Sequence, residues 1–189
     1  MQDPLIAELT YREAVAARER VRAVRRAIIL PLRLIAAVDL GGAVVVLVIG
    51  RFHLLAYFAP AFLTVLVVSA WCYHRYATTH GLLLPTSPWV LILAATLVAG
   101  ASMSRLGVAL DEPWISDFGP CLAFTVGTAL TAAWLQSRRL ALTAIAMVSV
   151  TAMVSLAADG DLAIALQLTA YGALLFYASA EPSEQKDAV

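Results

Sequence analysis

The sequence predicts an all-α, polytopic membrane protein with six transmembrane helices, both termini in the cytoplasm, and a basic N-terminal helix that is cytoplasmic or interfacial. The first observation is composition: of 189 residues, 61% are hydrophobic and 14% are charged, whereas soluble domains carry roughly a quarter charged residues. The second is a series of long apolar runs, and the third is the uneven distribution of arginine between them. This composition excludes a cytosolic globular domain, a disordered chain and a disulfide-rich secreted scaffold.

Six apolar runs are each close to the roughly 20 residues needed to cross the hydrocarbon layer of a bilayer. Ser87, Asp117 and Asp161 stand where a polar residue can cap the start of a span. Pro31 is expected to break or bend the chain where the first span begins. The predicted spans are Pro31–Gly50, Leu54–Tyr73, Pro88–Leu106, Asp117–Gln136, Leu140–Ala158 and Leu162–Ala180.

The distribution of basic residues predicts the orientation of these spans. Only Arg51 and Arg105 fall on one side of the predicted membrane, and the other eleven Lys and Arg residues fall on the opposite side. The side richer in Lys and Arg faces the cytoplasm in most membrane proteins. Both termini are therefore expected in the cytoplasm and the protein in the cell membrane. The eleven residues are Arg12, Arg18, Arg20, Arg22, Arg25, Arg26, Arg33, Arg75, Arg138, Arg139 and Lys186.

The N-terminal segment is the most unusual part of the sequence. Residues 1–30 are predicted to form a basic amphipathic helix, followed by a transmembrane bundle at 31–180 and a short polar cytoplasmic tail at 181–189. An apolar seam on this helix is formed by Ala14, Ala17, Val21, Val24 and Ile28. Because lipid insertion favours bulky apolar side chains, this seam of small residues favours docking to a protein or to the chain's own inner loops. The candidate partner-binding residues are Arg18, Val21, Arg22, Val24 and Arg25; the alternative is a basic segment that only fixes topology.

Two polar residues predicted at membrane depth are candidates for function. Asp39 is the one acidic residue well inside a span, where an ionised carboxylate costs several kcal/mol unless it is protonated, paired or hydrated. A purely structural role for Asp39, in locking the packing of the helices, stays open. Gln167, with Tyr171 one turn later, is the second candidate, and an interhelical hydrogen bond is its structural alternative.

Small residues at intervals of four predict how the fourth span packs. Gly119, Ala123 and Gly127 share one face of this span, and close approach of backbones along such a face drives helix association in lipid. We expect these three residues to form a helix-packing surface. Tight packing is favoured over a path for a solute.

The predicted outer surface is acidic. Asp111, Glu112 and Asp117 surround Trp114 in the longest outer loop, and few basic residues oppose them. This charge could attract a cation or a basic ligand. The alternative is a turn that carries an aromatic residue at the membrane interface.

No catalytic constellation is found, because the sequence contains no HExxH, no GxSxG, no glycine-rich phosphate loop and no paired cysteines. No enzyme activity, cofactor or metal is therefore predicted. The preferred hypothesis is a membrane anchor, regulatory subunit or sensor that docks a cytosolic or membrane partner through the N-terminal helix. The alternative is a small-solute binding or transport subunit that uses Asp39 and the polar residues of the bundle.

The expected partners are membrane lipids and either another protein subunit or a second copy of the chain, and no contact with nucleic acid is predicted. In length and number of spans the chain resembles the substrate-binding subunits of energy-coupling-factor vitamin transporters. That resemblance is one of architecture, and it implies a solute-binding role of the kind given by the alternative.

Overall fold

The computed structural model describes residues 4–80, 88–158 and 160–180. In this part of the chain there are six α-helices and a single 3₁₀ turn at Arg51–His53, between α1 and α2. All six helices are long and apolar enough to cross a membrane, which confirms the predicted number of spans. The α-helices are α1 (Pro4–Ile49), α2 (Leu54–His80), α3 (Pro88–Leu110), α4 (Pro113–Leu135), α5 (Arg138–Ala157) and α6 (Gly160–Ser179).

The expected helix break at Pro31 and the expected start of the fourth span at Asp117 are both wrong. Pro31 does not interrupt α1, which runs through it as one helix of 46 residues. Proline removes a single backbone donor, and membrane helices tolerate this loss where neighbouring groups compensate; the Pro31 side chain is fully buried. Asp117 does not begin the fourth span, because Pro113 is at the first positions of α4, where its missing N–H costs nothing.

The connections between helices are short and follow local backbone chemistry. Gly50 ends α1 with a φ of 92°, a conformation that glycine adopts without steric cost. Gln136 takes a left-handed conformation at the end of α4. Ser137 then caps α5, because its hydroxyl accepts a hydrogen bond from the backbone N–H of Leu140 at 3.4 Å.

The helices form a closed ring in chain order, in which each helix contacts the next and α6 returns to α1. The two most extensive contacts join α1 to α6 and α3 to α4, whereas α2 and α3 touch least. The core in the middle of the ring contains Ile28, Ile35, Met147, Tyr171 and Leu175, all nearly inaccessible. The connections α1–α2, α3–α4 and α5–α6 share one end of the ring, which we call the Arg51 end.

Candidate ligand-binding site

A cavity lies inside the ring and reaches the side where α2 and α3 separate. Its volume is about 790 Å³, within the range of about 300–1,000 Å³ that holds small ligands in proteins. Its described lining comes from α1, α2, α3, α4, α6 and the 3₁₀ turn. Most of this lining is apolar, and it extends from the Arg51 end to residues in the middle of the spans.

The glycine seam, formed by Gly100, Gly107, Gly119 and Gly127, holds α3 against α4. Gly100 and Gly107 also line the cavity, which extends from this contact into the gap between α3 and α2. A Cβ atom on Gly127 would collide with the Thr96 hydroxyl, and one on Gly119 would come within 3.0 Å of Met103 Cβ. Because these backbones approach so closely, α3 is drawn to α4 rather than to α2.

The predicted packing residues all lie on α4. Gly119 and Gly127 face α3, and both are buried. Ala123, between them in sequence, is also buried. The side chains of the predicted partner-binding residues lie outside the described part of the chain, so this prediction stays open; these residues are Arg18, Val21, Arg22, Val24 and Arg25.

Asp39 lies on α1 and lines the deep part of the cavity. Its side chain is buried, with 3% of the residue exposed, and its Oδ2 atom has no hydrogen-bond partner among the described residues. The hydroxyl of neighbouring Tyr57 donates instead to the backbone carbonyl of Val38 at 3.0 Å. Asp39 therefore presents an unused acceptor where a buried polar group normally has a partner.

A hydrogen-bond network joins α4, α5 and α6 beside the same cavity. The Tyr171 hydroxyl lies 2.7 Å from the Thr125 hydroxyl and 2.7 Å from the Thr151 hydroxyl. The Gln167 amide nitrogen donates to the Thr151 hydroxyl at 2.9 Å, so the expected polar pair meets through Thr151. Tyr171 is part of the cavity lining, whereas the fully buried Gln167 lies behind it and its Oε1 atom has no partner among the described residues.

The aromatic row, formed by Phe58, Phe62, Phe124 and Tyr171, crosses the wall of the cavity from α2 through α4 to α6. The ring centroids of Phe58 and Phe62 are 5.2 Å apart, and those of Phe62 and Phe124 are 6.3 Å apart. The step from Phe124 to Tyr171 is 6.5 Å. Sequence reasoning missed this row. The spacing of four residues between Phe58 and Phe62 indicates that these two rings share one face of a helix. No sequence pattern indicates the contacts that Phe124 makes with Phe62 and Tyr171 on other helices.

Charged residues surround the mouth of the cavity at the Arg51 end. The Arg51 guanidinium is 2.7 Å from the Asp117 carboxylate and 3.8 Å from the Asp161 carboxylate. These ion pairs tie the 3₁₀ turn to α4 and α6. Asp111 and Glu112 also line the mouth, and both are exposed.

The described residues contain no group of three or more His, Cys, Asp or Glu side chains that could hold a metal ion. No protein-family model, curated protein or solved structure matches this chain. The cavity and the polar groups in its wall therefore carry the functional interpretation.

Proposed function

We propose that this chain binds a small, largely apolar solute within its membrane-spanning bundle, with Asp39 holding the polar group of that solute. One observation carries this proposal: a buried carboxylate with an unused acceptor lines a cavity of about 790 Å³. Between the two hypotheses drawn from the sequence, this geometry favours solute binding or transport.

The energetics support a ligand at this position. An unpartnered polar group buried away from water costs about 1–3 kcal/mol, and a charged one costs more. A ligand that donates a hydrogen bond to Asp39 recovers this cost, while its apolar part contacts the wall of the cavity. A role limited to packing would instead give Asp39 a partner on another helix.

The lining also indicates a route from the lipid. Leu63 of α2 and Val98 of α3 line the cavity, and both are largely exposed on the outside of the bundle. A cavity that reaches the surface between two apolar helices admits molecules dissolved in the bilayer. Because α2 and α3 touch least, this is the side on which access costs least.

The orientation belongs to the same proposal. Eleven Lys and Arg residues lie on one side and two on the other. By the positive-inside rule, this asymmetry supports a protein in the cell membrane with both termini in the cytoplasm and the Arg51 end outside. Accessibility of a cysteine introduced at Asp111 to an impermeant thiol reagent on intact cells tests this orientation, with a cysteine at Arg138 as the matched inner position.

A matched pair of variants on α3 tests binding. Ala101 lines the cavity, whereas Ala99 is also exposed but is not among the lining residues. Calorimetric titration of the full chain in nanodiscs with phenylalkyl alcohols and phenylalkylamines of matched length measures affinity, after subtraction of empty nanodiscs. Ala101→Phe is expected to weaken binding about tenfold or more, because its ring occupies ligand volume, whereas Ala99→Phe leaves binding unchanged. Equal affinities of the two variants, or no binding of any compound to the unaltered protein, would overturn the proposal.

A second candidate function is docking of a partner subunit through the N-terminal part of α1. It rests on the continuity of this helix: residues 4–27 precede the span Ile28–Ile49 within one helix, which is about 36 Å at about 1.5 Å per residue. A continuous helix transmits a push or a rotation from a docked partner to the bundle.

Deletion of residues 1–26 tests docking, since it should remove a stoichiometric partner that co-purifies with the intact chain. Val24→Asp should do the same, whereas Ala23→Asp adds the same charge about 100° away around the helix, outside the apolar seam, and is expected to keep the partner. Retention of the partner by both shortened and Val24→Asp chains would exclude this function.

A further inference from the structure

The charge of the cavity lining indicates which class of solute it accepts. Its described residues include four acidic side chains and one basic side chain, which is Arg51. Arg51 already pairs with Asp117 and Asp161. The cavity therefore presents net negative charge to a molecule inside it.

Among the described residues, the lining of the cavity supplies no basic side chain other than Arg51. Arg33 and Arg51 are the basic residues closest to it along the sequence. Arg33 is exposed and does not line the cavity. Asp39 lies ten residues before Ile49, the end of α1, which is about 15 Å along a helix, and Arg51 lies beyond that end. Nothing from Arg51 or Arg33 therefore neutralises this carboxylate.

The aromatic row adds a second, independent preference. Aromatic rings attract cations over their faces because of their quadrupole, and the attraction increases when water is excluded. Phe58, Phe62, Phe124 and Tyr171 bring four rings to the wall of one cavity. Aromatic rings recognise ammonium groups in proteins, and here they line the same cavity as a buried carboxylate.

We propose that the solute is a lipophilic organic cation, an amine that is protonated at neutral pH, with its ammonium group at Asp39 and its apolar body along the aromatic row. This inference rests on the proposed solute-binding function and specifies its ligand class. The protonated amine donates to the free Oδ2 atom of Asp39 and neutralises the carboxylate in one contact. The acidic residues at the mouth raise the local concentration of such cations.

Comparison of charged and neutral ligands on the unaltered protein tests this directly. A phenylalkylamine and a phenylalkyl alcohol of the same length both donate a hydrogen bond, but only the amine carries charge. We expect the amine to bind about tenfold or more tightly, as for a hydrogen bond to a charged group. A phenylalkyl carboxylate of the same length is expected not to bind measurably.

Variants of Asp39 and of the aromatic row test whether these residues cause the preference for the amine over the alcohol. Asp39→Asn is expected to remove the advantage of the amine and to leave the affinity for the alcohol within about threefold. Thr143→Val, a buried change on α5 away from the cavity, is the control for disturbance of the bundle. Phe62→Leu and Phe124→Leu are expected to weaken amine binding by about three- to tenfold, with little effect on the alcohol.

Phe118→Leu is the matched aromatic control, because Phe118 is buried on α4 but does not line the cavity. Equal binding of amine and alcohol to the unaltered protein would overturn the cation inference while leaving solute binding in place. An amine preference that survives Asp39→Asn would also overturn it. Failure of every compound to bind would instead overturn the proposed function.

Discussion

The two sides of α3 are held in different ways. Toward α4, the glycine seam lets the helices approach so closely that a Cβ added at Gly107 or Gly127 would collide with a neighbour. Toward α2, α3 makes little contact, and the cavity occupies part of the space between the two helices. Only 17% of the residues in the apolar membrane-spanning stretch of α2 are buried inside the protein, against 50% in that of α6. Helices in lipid have no hydrophobic force that pulls them together, so the distribution of small residues decides which pair closes and which stays apart.

We call the contact of α3 with α4 the closed side and the gap between α3 and α2 the open side. The largest effect on stability is expected from disrupting the closed side. Gly127→Leu places a branched side chain where the Thr96 hydroxyl now lies, and we expect a loss of about 3 kcal/mol of stability, because the added side chain overpacks the close contact between α3 and α4. Ala129→Leu on the same helix is the control, since Ala129 is exposed. Thermal unfolding in detergent measures both. An unchanged melting profile for Gly127→Leu would mean that the glycine seam does not hold α3 to α4.

A smaller loss of stability is expected from removing the Tyr171 hydroxyl, which joins α4, α5 and α6. Tyr171→Phe deprives Thr125 and Thr151 of a shared partner. Interhelical hydrogen bonds in membrane proteins contribute about 0.6 kcal/mol on average and up to about 1.7 kcal/mol, so we expect a loss near about 1 kcal/mol in the same melting experiment. Tyr177→Phe is the control, because Tyr177 is exposed on the same helix. A larger loss for Tyr177→Phe than for Tyr171→Phe would contradict the importance of this network.

The closed and open sides also differ in how far the sequence predicts them. Hydropathy is a property of one segment at a time, and it identified six spans. Asp39 could be identified as a candidate because a single acidic residue within an apolar segment is recognised from the sequence alone. The cavity could not be predicted, since it depends on which neighbour α3 selects. Arg51 and Asp117 are 66 residues apart, and Phe124 meets Phe62 only through the ring of helices, so neither contact leaves a local pattern.

The two wrong helix boundaries show that local breaking and capping signals do not by themselves determine where a helix begins or ends. Pro31 and Asp117 are strong local signals, for a break and for a cap, but each was outweighed. Burial of Pro31 within the bundle keeps α1 continuous, and Pro113 offers α4 an earlier start. Local chemistry therefore predicts where a helix can begin or end, and packing chooses among these positions.

The smallest effect on stability is expected from substitution of Arg51. We expect this effect to be confined to the open side. Its ion pairs with Asp117 and Asp161 hold the 3₁₀ turn that leads into α2. Arg51→Gln should cost less than about 1 kcal/mol, because both ion pairs are partly exposed to solvent. It should nevertheless release the start of α2, so that backbone amides at 54–66 exchange hydrogen faster in nanodiscs while those of α6 do not change.

Arg105→Gln is the matched control for the Arg51 change, because Arg105 is an exposed arginine near the same end of the bundle on α3. Hydrogen exchange followed by mass spectrometry compares the two variants peptide by peptide. If exchange accelerated equally in α2 and α6, Arg51 would support the whole Arg51 end rather than the open side. If neither helix changed, the weak contact between α2 and α3 would be set by side-chain packing alone, and the cavity would keep its width without the ion pairs.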